Sequence, residues 1–219
     1  MPLALPLPLI YPITSGETTA QTTPDDPQFL NILRLAQAAV AAKVSLFQIR
    51  EKALPARVLY ALTSRAAEIT RGSQTRLLVN DRYAIARAAG ADGVHLTSHS
   101  LPAELVRRID GPGFLVGVST HSLEAARDAA GAGADFVVFG PVFETESKRV
   151  YGAPLGLEKL REVTTELGGF PVVAIGGITM DNVEKCFAAG ASGVAAIRLF
   201  NDATELSSIA EKIRNGFQP

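Results

Sequence analysis

The run Phe47-Gln48-Ile49-Arg50-Glu51-Lys52 carries an amide donor and two cations at alternate positions. In an extended segment alternate side chains share one side, so Gln48, Arg50 and Lys52 would point together. Such a set suits a polyphosphate, because Arg offers a planar fork to phosphate oxygens and Lys a compact point charge. The plainer alternative is that these cations are solvated at a strand end or paired with Glu51. Val79-Asn80-Asp81 adds an amide and a hard carboxylate. Asp81 could hold Mg²⁺ directly or through water, with phosphate oxygens completing the shell. An Asn-Asp pair ahead of a helix also serves as a cap.

Gly140-Pro141-Val142-Phe143-Glu144-Thr145-Glu146-Ser147-Lys148 opens a long loop with two hydroxyls, Thr145 and Ser147, and the cation Lys148. In a chain whose other connections are short, it reads as a substrate lid or as ordinary surface. At Ile175-Gly176-Gly177-Ile178, glycines would let backbone N–H groups approach a phosphate as the next helix begins, or merely permit a tight turn. Among the three histidines, His121 stands beside Ser119 and is the acid/base candidate, since imidazole titrates near neutrality without perturbation. A structural hydrogen bond is its competing role. His95 lies inside an apolar run and reads as a core residue.

These residues gather at the ends of eight short apolar runs: Leu9 to Thr14, Ser45 to Ile49, Leu77 to Val79, Gly93 to Leu96, Phe114 to Val118, Phe136 to Phe139, Val172 to Ile175 and Gly193 to Ile197. Between them lie stretches of helical periodicity, such as Phe29 to Ala42, Ala56 to Ile69, Leu123 to Ala132, Leu157 to Leu167 and Met180 to Ala189. The alternation predicts an α/β fold, a (β/α)₈ TIM barrel, as a single domain over residues 1–219. An open doubly wound sheet fits less well without a Gly-x-Gly-x-x-Gly fingerprint. Ala-Gly-Ala-Asp-Gly-Val at 89–94 recurs as Ala-Gly-Ala-Asp-Phe-Val at 132–137 and Ala-Gly-Ala-Ser-Gly-Val at 189–194. Each copy would end a helix at a glycine and turn at once into a strand.

With 21 Lys plus Arg against 22 Asp plus Glu, there is no basic excess of the kind that marks a nucleic-acid binder. Cys186, the single cysteine, allows no intramolecular disulfide and reads as a small buried side chain. The apolar opening carries Pro2, Pro6, Pro8 and Pro12 and no basic residue before Arg34, unlike a signal peptide. No run approaches a membrane span. A cytoplasmic protein acting on small phosphorylated molecules, with no nucleic-acid or membrane partner, is expected; the sequence leaves monomer and homo-oligomer open.

In this order, the motifs resemble the thiamine phosphate synthase and thiazole tautomerase superfamily from Tyr11 to Phe200. The pieces that carry the likeness are Phe47 to Lys52, Val79-Asn80-Asp81, Ala91 to Leu96, Gly117 to His121, Gly140-Pro141 with Thr145 to Lys148, and Ala174 to Ile178. The resemblance implies a barrel that joins hydroxymethylpyrimidine pyrophosphate to a thiazole phosphate with Mg²⁺, releasing pyrophosphate. It implies that Gln48, Arg50, Lys52 and Asn80 bind the pyrimidine pyrophosphate, Asp81 the metal, and Ser119 and Lys148 the leaving pyrophosphate. Thr145, Ser147, Gly177 and the backbone near Ile197 would take the thiazole phosphate. Two positions depart from the synthase pattern: Ser100 stands where a second metal-binding Asp is usual, and Arg198 where a phosphate-binding Ser is usual. These departures keep two alternatives in view, a thiazole tautomerase with His121 as its acid/base group and a non-catalytic barrel that binds phosphorylated ligands.

Overall fold

The computed structural model describes residues 5–145 and 153–217. Eight parallel strands alternate with helices: β1 (Leu9–Pro12), β2 (Leu46–Ile49), β3 (Arg76–Asn80), β4 (Gly93–Leu96), β5 (Leu115–Thr120), β6 (Phe136–Phe139), β7 (Val172–Ile175) and β8 (Gly193–Ala196). The helices are α1 (Pro27–Ala41), α2 (Ala56–Thr70), α3 (Tyr83–Ala88), α4 (Ala103–Asp110), α5 (Leu123–Gly131), α6 (Gly156–Glu166), α7 (Val183–Ala188) and α8 (Leu206–Gly216). The sheet order β1-β8-β7-β6-β5-β4-β3-β2 brings β1 back beside β2. There an Ile13–Gln48 bridge and a 3.0 Å bond from the Thr14 N–H to the Gln48 carbonyl complete the circle. The TIM barrel expected from the alternation is the observed fold.

Period-2 alternation divides the strands' side chains into two layers. Leu9, Tyr11, Ile13, Leu46, Leu78, Leu115, Phe136, Val138, Val173 and Ala195 fill the barrel, while the intervening residues join the helices in an outer core. Glycines inside the barrel make room for larger neighbours: a Cβ on Gly117 would come within 2.4 Å of the Phe136 ring, and one on Gly193 within 2.1 Å of the Leu9 carbonyl oxygen. Tyr11 and Phe136 meet edge to face at 5.7 Å, and His95 lies 5.9 Å from Tyr11 and 6.3 Å from Phe136 between ring centroids. This aromatic cluster is part of the packed interior and carries the polar residues above it.

The repeated Ala-Gly-Ala motif builds the end of the barrel where helices return to strands. Gly90, Gly133 and Gly190 have φ of 76°, 87° and 87°, the left-handed conformation that closes a helix cheaply only in glycine. The next alanine N–H reaches back in each copy, Ala91 to Ala86, Ala134 to Ala129 and Ala191 to Cys186, at 2.9, 3.1 and 3.0 Å. The fourth residue then joins the sheet, with Asp92, Asp135 and Ser192 donating to Leu77, Val116 and Val172. In the first two copies the carboxylate also accepts the N–H of Leu77 at 2.8 Å or Val116 at 2.7 Å, and pairs with Arg76 or Arg107.

Several boundaries differ from the sequence reading, three of them near the mouth. β5 runs on through Ser119 and Thr120. β1 stops at Pro12, beyond which Ile13 makes only the isolated bridge. The seventh helix starts at Val183 rather than Met180, because Thr179 and Asn182 fold into a turn. The Thr179 N–H donates to Asn182 Oδ1 at 2.9 Å, and the Asn182 amide donates to the Gly177 carbonyl at 2.8 Å.

Candidate active site at the mouth of the barrel

The strands' C-terminal ends bring most of the described candidates to one mouth. On β2, Gln48 faces inward with Leu46 and is buried, its Nε2 donating to the Tyr11 hydroxyl at 2.7 Å. Arg50 follows on the same side and is half-buried, and Lys52 is exposed. Glu51 does not pair with these cations. It is buried on the other side, where its carboxylate accepts from the hydroxyls of Thr14 and Thr18 at 2.5 and 2.6 Å and the N–H groups of Gly16 and Thr18 at 3.1 and 3.2 Å. Glu51 therefore fastens the β1–α1 loop and forms no ion pair with the two flanking cations.

At the end of β3, Asp81 adopts φ +64°, unusual for a residue with a Cβ. Its N–H donates to the His95 carbonyl at 2.8 Å, which ties it to β4. The capping reading does not hold: Arg82, not Asp81, occupies the N-cap of α3, and no side chain caps that helix. Instead Asp81 Oδ1 accepts the Ser100 hydroxyl at 2.6 Å. Ser100 also accepts from the Thr97 N–H at 2.8 Å. A strained backbone that exposes a carboxylate at the mouth, next to half-buried Asn80, is a feature of functional positions.

The end of β5 supplies Ser119, whose Oγ lies 2.8 Å from His95 Nε2. His95 Nδ1 in turn lies 3.3 Å from the Tyr11 hydroxyl. Burial first, and the nearby Arg50 guanidinium second, push the His95 imidazole down to about 3, so it is neutral at ordinary pH. Burial also pushes the Tyr11 phenol above its ordinary value, against a smaller opposing effect from Gln48. His121 is exposed and hydrogen-bonds through Nδ1 to the Gly140 carbonyl. A carbonyl can only accept, so Nδ1 carries the proton and the Nε2 lone pair of the neutral ring remains available. Ser122, next in the chain, caps α5 by accepting from the Ala125 N–H at 3.1 Å.

Gly176 and Gly177 have φ of 100° and 65°, but a second constraint also requires glycine there. Cβ atoms would come within 2.5 Å of Pro141 and 2.6 Å of the Glu144 carbonyl. The Val142 and Phe143 N–H groups donate to Ile175 and Gly176 at 2.8 and 3.0 Å, laying the loop after β6 across the end of β7. The expectation of a helix beginning directly after these glycines is corrected by the Thr179–Asn182 turn. Thr145 is half-buried at the end of the described part of that loop; Ser147 and Lys148 lie outside the described residues. Ile197 is half-buried after β8, its carbonyl accepting from Asn201 Nδ2 at 2.6 Å, and exposed Arg198 begins a 3₁₀ turn, Arg198–Phe200.

Two participants escaped the sequence reading. Tyr11 has no role in the sequence reading beyond its strand, although its alternation with Leu9 and Ile13 places a phenol inside the barrel, where it needs a polar partner. Glu51 reads from the sequence only as a counter-charge, and nothing local announces that a loop 33 to 37 residues upstream binds it. A cavity of about 340 Å³ opens beside that loop, lined in part by Thr18, Arg34, Glu51 and Asp202. None of the strand-end candidates lines it. Among the described residues no group of three or more His, Cys, Asp or Glu could hold a metal by itself.

Comparison with known proteins agrees with the motif reading. Residues 18–200 match the model of the family described as thiamine monophosphate synthase. The thiamine-phosphate synthase of Methanoculleus marisnigri is 43% identical over 83% of this chain and 85% of its own length. That of Moorella thermoacetica is 40% identical over 83% and 86%. Among solved structures, thiamine phosphate pyrophosphorylase from Pyrococcus furiosus superimposes with a TM-score of 0.74 at 31% identity, covering 94% of this chain and 96% of that one. With the family model spanning most of the sequence, the chain belongs to the thiamine monophosphate synthase family.

Proposed function

We propose that this chain is a thiamine-phosphate synthase, an enzyme of thiamine biosynthesis that transfers the pyrimidinylmethyl group of hydroxymethylpyrimidine pyrophosphate to a thiazole phosphate. The observation that carries the reading is the arrangement at the mouth: Arg50, Asp81 and Ser119 stand at the ends of β2, β3 and β5, and Asp81 is spent on neither a cap nor an ion pair with Arg50. Cleavage of the bond between the pyrimidine methylene carbon and pyrophosphate oxygen sends the electron pair out with pyrophosphate. The thiazole nitrogen lone pair then forms the new C–N bond to the pyrimidine-stabilised cation.

Charge develops on the departing oxygen, so fixed donors there lower the barrier most. Arg50 and Lys52 supply two of them, Ser119 a third, and Lys148 a fourth by resemblance. Asn80 and Gln48 would orient the pyrimidine pyrophosphate, while Thr145, Ser147, Gly177, Ile197 and Arg198 would take the thiazole phosphate. The donor set fits Mg²⁺ in one respect: Ser100 engages only Oδ1 of Asp81, leaving Oδ2 of this hard carboxylate for a cation whose other ligands are water and phosphate oxygens. When bound, Mg²⁺ would neutralise pyrophosphate charge. A cytoplasmic enzyme of small phosphorylated substrates accords with the described residues, where no helix is long and apolar enough to cross a membrane.

Two observations favour a second reading, thiazole tautomerase: His121 has a free Nε2 at the same mouth, and Ser100 gives Asp81 a hydroxyl partner instead of a second carboxylate. The separating experiment offers the protein hydroxymethylpyrimidine pyrophosphate with thiazole phosphate and Mg²⁺, and separately the thiazole phosphate carboxylate in deuterated water. Thiamine phosphate in the first reaction supports the synthase. Ring isomerisation with solvent deuterium in the second, and no product in the first, supports the tautomerase. Ligand binding without either product marks a binding barrel.

A further inference from the structure

We propose that Gln48, Tyr11 and His95 form a one-way hydrogen-bond chain through the barrel interior that fixes Ser119 as a donor toward the mouth, making Tyr11 and His95 positioning residues for an anion held there. This rests on the reading that Ser119 faces a pyrophosphate oxygen, but the direction of the chain is set without any ligand. Gln48 Nε2 can only donate, and it lies 2.7 Å from the Tyr11 oxygen. The phenol accepts that hydrogen and has its own to give, and His95 Nδ1 stands 3.3 Å away.

The His95 ring is buried, and a ring whose Nδ1 accepts the Tyr11 hydrogen holds a single N–H. With Nδ1 accepting from Tyr11, the hydrogen is on Nε2, which donates to Ser119 Oγ at 2.8 Å. Ser119 then has its lone pair engaged from below and its hydrogen directed to the half-exposed side of the mouth. An anion needs this polarity. With the Gln48 amide turned over, every bond would reverse, Ser119 would donate downward, and its lone pairs would repel a phosphate oxygen. Hydrogen bonds in one chain polarise each other in one sense, which strengthens the terminal donor.

Two measurements test the proposal. In ¹⁵N-histidine NMR of the ligand-free protein, with the His95 signals assigned through His95→Gln, the expected result is a neutral ring protonated at Nε2. Protonation at Nδ1, or an even mixture, overturns the chain. Pyrophosphate titration with Mg²⁺ reads its consequence. Tyr11→Phe keeps the ring but removes the relay, and should weaken pyrophosphate binding by about tenfold. His95→Gln, which can accept from Tyr11 and donate to Ser119, should hold affinity within about threefold. Wild-type affinity in Tyr11→Phe overturns the proposal. Should Tyr11→Phe fail to fold, His95→Leu takes its place, and wild-type affinity there is equally fatal. If the wild-type protein does not bind pyrophosphate, the functional reading fails while the tautomer still decides the chain.

Discussion

The two ends of this barrel spend the same residue types differently. At the end where helices return to strands, charges are consumed: Arg107 pairs with Asp135 at 2.6 Å, Arg87 with Asp110 at 2.8 Å and Arg76 with Asp92 at 3.3 Å, and two of these carboxylates also accept strand N–H groups. At the mouth, Arg50 and Lys52 flank a glutamate that ignores them, and Asp81 engages only a hydroxyl. One end uses charge to fix the fold. The other leaves it outside the ion pairs of the described residues, where the proposed ligand site and the general placement of activity on the C-terminal face of such barrels both fall.

The sharpest way to separate the ends is to damage each. Gly193→Ala, at the closed end, would drive a methyl into the Leu9 backbone at 2.1 Å and should cost about 3 kcal/mol in denaturant unfolding. Arg50→Ala, at the mouth, should lower synthase turnover by roughly 100-fold while unfolding within about 0.5 kcal/mol of wild type. A large stability loss in Arg50→Ala would break the division. Asp135→Ala removes a partner from both Arg107 and the Val116 N–H and should cost about 2 kcal/mol with KM unchanged.

Acid probes the interior between the ends. Neutral His95 titrates at about 3 in the fold against 6.5 for an ordinary histidine, so below pH 6.5 the unfolded chain binds the proton first. Stability should therefore fall as pH drops from about 6.5 toward 3, by up to about 1.4 kcal/mol per pH unit from this group. Chemical denaturation across that range should show a shallower fall in His95→Gln; parallel curves would contradict the buried neutral ring. The smallest effect belongs to the metal. Ser100→Asp sets a second carboxylate against Asp81 and should cost about 1 kcal/mol without Mg²⁺, recovered when Mg²⁺ is added. A melting temperature indifferent to Mg²⁺ in that variant would argue against Asp81 as a ligand.

What the sequence made legible follows the same division. Alternation and the Ala-Gly-Ala repeat gave the barrel because each signal is local: period 2 for the strands, and a left-handed glycine with a bond to the preceding helix at each return. The placement of Gln48, Arg50, Asp81 and Ser119 followed from strand ends alone. The roles of Tyr11, Glu51 and Ser100 did not, since each depends on a partner distant in sequence: His95 for Tyr11, the loop at Thr14 to Thr18 for Glu51, and Asp81 for Ser100. Gly176 and Gly177 were legible as necessary but not for their full reason, which is the loop from another strand lying on them.

The most direct test of the account is the stoichiometry of one reaction: hydroxymethylpyrimidine pyrophosphate and thiazole phosphate incubated with the protein and Mg²⁺, with thiamine phosphate and pyrophosphate quantified together. The account predicts equal amounts of both products, dependent on Mg²⁺ and nearly abolished in Arg50→Ala. Folded protein that forms neither product, or an Arg50→Ala variant that forms them at the wild-type rate, would contradict it.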